Sequence, residues 1–126
     1  MIKLFSIAAI LISLVFPFSA LGEEVSQVEK IEINFFYSAI CPHCSEEKEF
    51  LKELEERYPG IEVRSYEVLS KELIPNQENI EILKDFYEKY NVPDKDKGRV
   101  PATFTPTEYF VGFNEQIGKE IESCIR

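Results

Sequence analysis

The chemistry of this 126-residue chain is concentrated in one short stretch, Cys41-Pro42-His43-Cys44. Two cysteines two residues apart can close a small disulfide ring. A helix that begins at the first cysteine would favour its thiolate, because free backbone N–H groups and the positive end of the helix dipole stabilise a negative charge there. The pattern therefore indicates a redox-active dithiol.

The two residues between the cysteines favour the same interpretation. Pro42 suits the first position of a helix, since it lacks an N–H and its φ is already fixed. His43 is the only histidine of the chain and adds a cation beside the thiols when it is protonated. Both residues are expected to tune the reactivity of the pair.

Two other interpretations of the cysteine pair remain open. The same spacing supplies half of a zinc site, but a four-ligand site needs two more cysteines or histidines, and outside the motif only Cys124 remains. The pair could also be a purely structural disulfide, although so small a ring restrains little of the chain. The redox interpretation requires neither a metal nor another cofactor.

The first 22 residues have the parts of a secretory signal peptide. Lys3 provides a positive start, an apolar run covers residues 4–18, and Ala20-Leu21-Gly22 offers small residues at a cleavage site. An uncleaved N-terminal membrane anchor is the alternative. In both cases residues 23–126 form one domain outside the cytoplasm, where disulfide chemistry is permitted.

The net charge of −9 argues against a nucleic-acid partner and against an anionic membrane surface, because both need basic patches. The acidic residues alternate with basic ones along the predicted helices. We expect them to lie on solvated helical faces.

Hydrophobic patterning predicts a scaffold of seven elements in the order β-α-β-α-β-β-α. Leu51 and Leu54 form the apolar stripe of the first helix, and Cys44 lies on the same side, seven residues before Leu51. Cys44 should therefore be shielded and Cys41 exposed at the tip. The predicted strands cover residues 31–37, 61–68, 102–105 and 109–111, and the predicted helices cover residues 42–58, a segment from about 80 to 91, and a segment that Asn114 begins.

With these residues in place, the chain resembles the thioredoxin-fold thiol–disulfide oxidoreductases. Its Cys-Pro-His-Cys motif is similar to that of the periplasmic dithiol oxidases of the DsbA type, whereas its compact size looks more like glutaredoxin or thioredoxin. A second match is Val100-Pro101, just before the third strand, where this family carries a cis-proline loop that faces the cysteines. The resemblance implies an α/β three-layer sandwich with a mixed four-stranded sheet.

The resemblance also implies roles for individual residues. Cys41 would attack and form a mixed disulfide with a partner, and Cys44 would resolve it. Pro101 would be in the cis form, and the backbone of Val100 would pair with an extended substrate strand. Arg99 beside this loop would attract a thiolate or a substrate carboxylate, or would be a solvated loop charge.

Two departures from the family pattern limit what can be transferred. The family places a buried carboxylate six residues before the first cysteine, where this chain has Phe35, so water or a nearby surface acid would have to move the proton of Cys44. The Gly-Gly turn of glutaredoxins is replaced by Gly112-Phe113, so glutathione use is without support.

The sequence thus predicts an extracytoplasmic oxidoreductase that exchanges disulfides with protein substrates and is reset by a membrane redox partner. An electron-relay reductase domain and a carrier module for a soft metal ion are the alternatives. Cys124 lies on the apolar side of the last predicted helix. It is expected to be a buried free thiol or, alternatively, to form an intermolecular disulfide.

Overall fold

The structure is a computed structural model that describes residues 30–126. The predicted signal segment, residues 1–22, lies outside the described residues. The described elements are β1 (Ile31–Ser38), α1 (Pro42–Arg57), β2 (Ile61–Leu69), α2 (Gln77–Lys89), a short 3-10 helix (Asp94–Asp96), β3 (Ala102–Phe104), β4 (Tyr109–Val111) and α3 (Glu115–Ser123).

The four strands form one mixed sheet in the order β2-β1-β3-β4. β1 and β2 are parallel and connected through α1, as expected for a strand–helix–strand unit. β3 runs antiparallel to β1, with Thr103 opposite Phe35, and β4 runs antiparallel to β3. This order places β1 in the interior of the sheet, and the dithiol follows directly after β1.

Helices cover both faces of the sheet, so two hydrophobic cores form. On one face, which we call the α1/α3 face, buried residues of the sheet, of α1, of α3 and of the segment after α3 pack together; these are Ile33, Phe35, Leu51, Leu54, Ile61, Phe110, Ile121 and Ile125. On the other face, the α2 face, buried residues of the sheet, of α2 and of the loop after α2 pack together; these are Phe36, Leu83, Tyr87, Val92, Ala102 and Phe104. Alternate residues of β1 serve the two cores, as the period of a strand requires.

The observed element order is the predicted one, and most boundaries agree within one or two residues. Helix α2 begins at Gln77, three residues before the predicted start, because the Asn76 side chain accepts a hydrogen bond from the Asn79 N–H and caps the helix there. The 3-10 helix at Asp94–Asp96 is not among the seven predicted elements. No helix within residues 30–126 is long and apolar enough to cross a bilayer.

Candidate active site

The dithiol occupies the first turn of α1. Cys41 is the N-cap residue with an extended backbone (φ −95, ψ 117), and Pro42 takes the first helical position. The backbone N–H of Cys44 donates a hydrogen bond to Cys41 Sγ over 3.2 Å. The sulfur therefore replaces the oxygen that usually caps a helix, and a thiolate would accept this bond more strongly than a thiol.

The two sulfurs differ sharply in access to solvent. Cys41 is half-buried, whereas only 2% of Cys44 is exposed. Burial is the main cause that raises the pKa of the Cys44 thiol to about 12, and its hydrogen bond with Cys41 acts in the same direction. All three cysteines, including Cys124, are free thiols here. Cys41 is thus the sulfur that a partner can reach, and Cys44 is held as a thiol beneath it.

The loop before β3 lies against the reachable sulfur. The Val100–Pro101 peptide bond is cis, Pro101 is fully buried, and the Val100 carbonyl oxygen lies 4.0 Å from Cys41 Sγ. The backbone N–H of Gly112 donates to the Pro101 carbonyl over 2.8 Å. Gly112 has a φ of +87, which a glycine adopts readily, so the end of β4 holds the loop in place.

The two charged residues predicted for the site lie at its periphery. His43 is exposed, and its Nδ1 atom lies 3.4 Å from Glu46 Oε1. Arg99 is also exposed, and its Nη1 atom lies 3.9 Å from Asp96 Oδ1. Neither side chain forms a hydrogen bond or an ion pair with a cysteine within residues 30–126.

A small cavity of about 80 Å³ opens beside the two sulfurs. Tyr37 and Lys48 line it together with Cys41 and Cys44, and the Lys48 Nζ atom lies 4.1 Å from the centre of the Tyr37 ring. A cation next to the dithiol stabilises a thiolate in its surroundings. Lys48 was not among the predicted site residues.

The most important residue that the sequence interpretation missed is Glu47. Its side chain is fully buried on α1, and Oε2 accepts a hydrogen bond from the Thr103 hydroxyl of β3. Its other oxygen, Oε1, is buried without a hydrogen-bond partner within residues 30–126. Burial raises the pKa of the Glu47 carboxyl from 4.5 to about 7, while the bond from Thr103 opposes this rise. The site therefore holds a buried group that titrates near neutral pH.

Glu47 corrects two expectations. The acidic residues of α1 do not all lie on a solvated face, and the structure offers a buried acid where only water or a surface acid was expected. The spacing contained the signal, because Cys44, Glu47, Leu51 and Leu54 recur at intervals of three and four residues and are the buried residues of α1. A carboxylate within such a stripe is a buried acid and not part of the polar face.

The structure also corrects the expected burial of Cys124. Helix α3 ends at Ser123, and Cys124 is the C-cap residue, half-buried at the rim of the core. Its Sγ atom lies 3.6 Å from Glu108 Oε2. Cys124 is therefore a partly accessible thiol next to a glutamate side chain.

Within the described range, no group of three or more histidine, cysteine, aspartate or glutamate side chains comes together in a way that could hold a metal ion.

Solved structures of other proteins share this architecture, including the following two. A glutaredoxin from Archaeoglobus fulgidus is 19% identical, with a TM-score of 0.51 over 83% of this chain and 98% of that chain. A protein described as the thiol:disulfide interchange protein DsbE, from Chlorobium tepidum, is 14% identical, with a TM-score of 0.51 over 78% of this chain and 79% of that one. The fold is thioredoxin-like.

This result confirms the predicted fold class, the three-layer sandwich with a mixed four-stranded sheet. At these identities the likeness concerns the fold alone. No protein-family model matches the sequence, and no curated protein matches it. The function therefore has to be argued from the dithiol and its surroundings.

Proposed function

We propose that this thioredoxin-like domain is a thiol–disulfide oxidoreductase that exchanges disulfides with protein substrates outside the cytoplasm. The observation that carries the proposal is the asymmetric dithiol. Cys41 is reachable and receives an N–H bond at a helix N-terminus, whereas Cys44 is shielded one turn further along the same helix. A reachable attacking sulfur next to a shielded resolving sulfur is what a two-cysteine exchange requires.

The exchange proceeds in two displacements. The Cys41 thiolate attacks one sulfur of a substrate disulfide, a Cys41–substrate bond forms, and the other substrate sulfur leaves as a thiolate that takes a proton from solvent. Cys44 then loses its proton and attacks Cys41 Sγ. The Cys41–Cys44 bond forms, the second substrate sulfur leaves, and the substrate has gained the two electrons that the dithiol has lost. Substrate oxidation is the reverse sequence.

The surroundings of the dithiol favour an extended protein segment as substrate. The Val100 backbone lies beside Cys41 Sγ and offers a carbonyl to an incoming strand. An apolar groove of about 400 Å³ lined by Val68, Ile80, Leu83 and Val100 continues from this loop. Pro75, on the loop that leads into α2, also lines the groove, and the two residues before it in the sequence, Leu73 and Ile74, are exposed apolar side chains. Exposed apolar grooves and side chains are typical of protein–protein contact.

The proposed location rests on residues 1–22, whose pattern is that of a secretory signal or an anchor. Outside the cytoplasm the dithiol would have to be reset by another protein, and a membrane redox protein is the partner that we propose. Sequencing the N-terminus of the mature protein checks this part, with Glu23 as the expected first residue. An unprocessed chain that remains in the cytoplasm would contradict it.

The exchange itself is tested with a peptide that contains one disulfide, by comparing the parent with three single variants. Cys41→Ser should lower the rate by at least about 1,000-fold, as expected when an attacking nucleophile is lost. Cys44→Ser should accumulate a mixed disulfide on Cys41. Cys124→Ser is the matched control and should exchange like the parent, because Cys124 lies at the far end of α3.

Other outcomes of this experiment contradict the proposal. Full turnover by Cys44→Ser would show that the two-cysteine mechanism is wrong. A metal ion that copurifies in equal amount with the parent and is lost in Cys41→Ser would favour the soft-metal carrier instead.

A further inference from the structure

A groove between α1 and α3 has an aromatic floor that stays partly exposed. Phe50 of α1 and Phe113, which precedes α3, have ring centroids 5.3 Å apart, and neither side chain is fully buried. Together the two rings line a groove of about 410 Å³ between the helices. Adjacent apolar side chains that remain exposed are a feature of interaction sites.

Packing against α3 fixes this floor. Gly118 lies in the interior of α3, where glycine is less favourable than alanine. A Cβ atom at this position would lie 3.2 Å from Phe50 Cε1 and 3.5 Å from Phe113 Cε1. The glycine therefore gives the Phe50 ring room to lie close to α3, and the groove exists before any partner binds.

The rim of the groove is acidic. Lys119 is the only cation among the described residues that line it. Four exposed glutamates also line it; these are Glu46, Glu49, Glu53 and Glu115. Glu46 lies next to His43, whereas the other three glutamates form no ion pair within residues 30–126. The rim thus has an excess of negative charge.

The spacing of the three α1 glutamates makes this excess unfavourable for the protein alone. Residues three and four apart are neighbours on the surface of a helix, and like charges at these positions destabilise it. Glu46, Glu49 and Glu53 are spaced in this way. A bound cation would relieve their mutual repulsion.

Aromatic rings and carboxylates together recognise a basic segment that also contains apolar side chains. An arginine guanidinium stacks on aromatic rings and binds carboxylates through paired hydrogen bonds, and a lysine ammonium is attracted by both groups. An apolar side chain next to the cation would remove the exposed ring surface from water. An acidic segment would be repelled by the rim.

We propose that this groove docks a basic segment of a protein partner. An apolar side chain of the segment packs on Phe50 and Phe113, and its arginines or lysines lie along the glutamates of the rim. The groove follows the dithiol helix from Glu46, yet neither Cys41 nor Cys44 lines it. A docked partner therefore lies beside the dithiol, and docking requires no contact with either sulfur.

Docking is tested by fluorescence anisotropy with a labelled peptide in which arginine alternates with leucine and which contains no cysteine. Two reference peptides replace either every arginine by glutamate or every leucine by serine. The arginine–leucine peptide should bind the reduced parent at least about tenfold more tightly than either reference, and its affinity should fall as salt is added. Equal binding of the glutamate-containing peptide would overturn the proposal.

Charge reversal tests whether the rim is the binding site. Glu49→Lys combined with Glu53→Lys should weaken binding of the arginine–leucine peptide at least about tenfold. Asp85→Lys combined with Glu88→Lys is the matched control, because it changes the net charge equally at exposed positions of α2, on the opposite face of the sheet. The control should bind within about twofold of the parent. An equal loss in both double variants would mean general attraction to an acidic protein and would rule out the groove.

The aromatic floor can be tested without a change of charge. Phe113→Ala removes one ring, so the arginine–leucine peptide should bind this variant about as weakly as the serine-containing peptide does. A folded Phe113→Ala that retains the preference for leucine would contradict the proposed contact.

A measurement on the parent keeps the inference testable if Phe113→Ala does not fold. On addition of the arginine–leucine peptide, the amide NMR signals of Asn114 and Gly118 should shift. Shifts confined to Val100 and its neighbours would place the peptide elsewhere and overturn the proposal. Because the peptide has no cysteine, a protein that binds it in the groove but exchanges no disulfide would overturn only the proposed function.

Discussion

The two faces of the sheet solve the same packing problem in different ways. The α2 face is built from aromatic rings, with Phe36 stacked on Tyr66 at a centroid distance of 4.6 Å and in edge contact with Phe104 at 5.8 Å. The α1/α3 face is mainly aliphatic, with Ile33, Leu51, Leu54 and Ile121 among its buried residues. Either composition is sufficient to bury a sheet.

The faces differ more in how they treat polar atoms. On the α2 face, two tyrosine hydroxyls form hydrogen bonds. The Tyr87 hydroxyl accepts from the Gly98 N–H over 2.8 Å, and the Tyr90 hydroxyl donates to the Thr105 carbonyl over 2.5 Å. On the α1/α3 side of the sheet, Glu47 keeps one carboxylate oxygen buried without a partner within residues 30–126. The face against which the dithiol helix packs is thus the one with a buried polar atom that lacks a hydrogen-bond partner.

This contrast shows which face contains a group that lowers the free energy of unfolding. A buried acid with a raised pKa is stabilised in its neutral form, so its ionisation opposes folding. The α2 face has no such group among its core residues, and its contribution to stability should not depend on pH near neutrality. The contrast can therefore be measured by comparing the free energy of unfolding at two pH values.

The largest expected effect concerns Glu47 itself. Its pKa is about 7 in the folded protein and 4.5 when the group is free in solution, so its stabilising effect is complete below pH 4.5 and is lost as the pH rises through 7. The loss amounts to about 3 kcal/mol. Urea unfolding of the reduced protein at pH 4.5 and pH 8 should show this decrease in the parent and not in Glu47→Gln. Glu53→Gln should retain it, and a parent whose stability is equal at both pH values would contradict the buried acid.

A smaller effect is expected on the opposite face. Phe36→Leu removes ring contacts with Tyr66 and Phe104 and should lower the free energy of unfolding by about 2 kcal/mol. Because no ionisable group is involved, the loss should be the same at pH 4.5 and pH 8, and the rate of thiol exchange should stay that of the parent. A loss that changes with pH would show that the two faces are coupled.

The smallest effect sharpens the comparison within α1, between its buried acid and its exposed charges. We expect a protonated His43 to favour the Cys41 thiolate only weakly, because its side chain is exposed and its Nδ1 atom lies next to Glu46. His43→Ala should therefore lower the reduction potential of the Cys41–Cys44 pair by only about 10–30 mV. Lys52→Ala, which removes an exposed cation further along the helix, is the control. A rise in potential would mean that His43 acts on the site in another way.

Much of the scaffold could be predicted because local patterns and tertiary structure agree. The β-rich run before Cys41, the stripe of Leu51 and Leu54, and the capping Asn114 each specify one element, and the structure has all three. Boundaries shifted where a cap was overlooked, as at Asn76. The dithiol at the start of α1 followed from the motif together with the strand before it.

The parts that escaped prediction depend on contacts between distant residues. Glu47 was assigned to a polar surface because charged residues are almost never fully buried, although its register with Leu51 and Leu54 pointed inward. That its carboxyl would meet Thr103, which lies opposite Phe35 in the sheet, depends on the pairing of β1 with β3. Cys124 was expected to be buried, but α3 ends one residue earlier and leaves it at the rim.

The central claim, that Cys41 and Cys44 form a reversible redox pair, is tested most directly by its reduction potential. The protein is equilibrated in glutathione buffers, alkylated and analysed by mass spectrometry with peptide mapping. We expect one two-electron transition in which Cys41 and Cys44 lose their alkyl labels together while Cys124 keeps its label. The potential should lie above about −300 mV, whereas structural disulfides typically have potentials below this value. A potential below that value, or a disulfide that involves Cys124, would contradict the account.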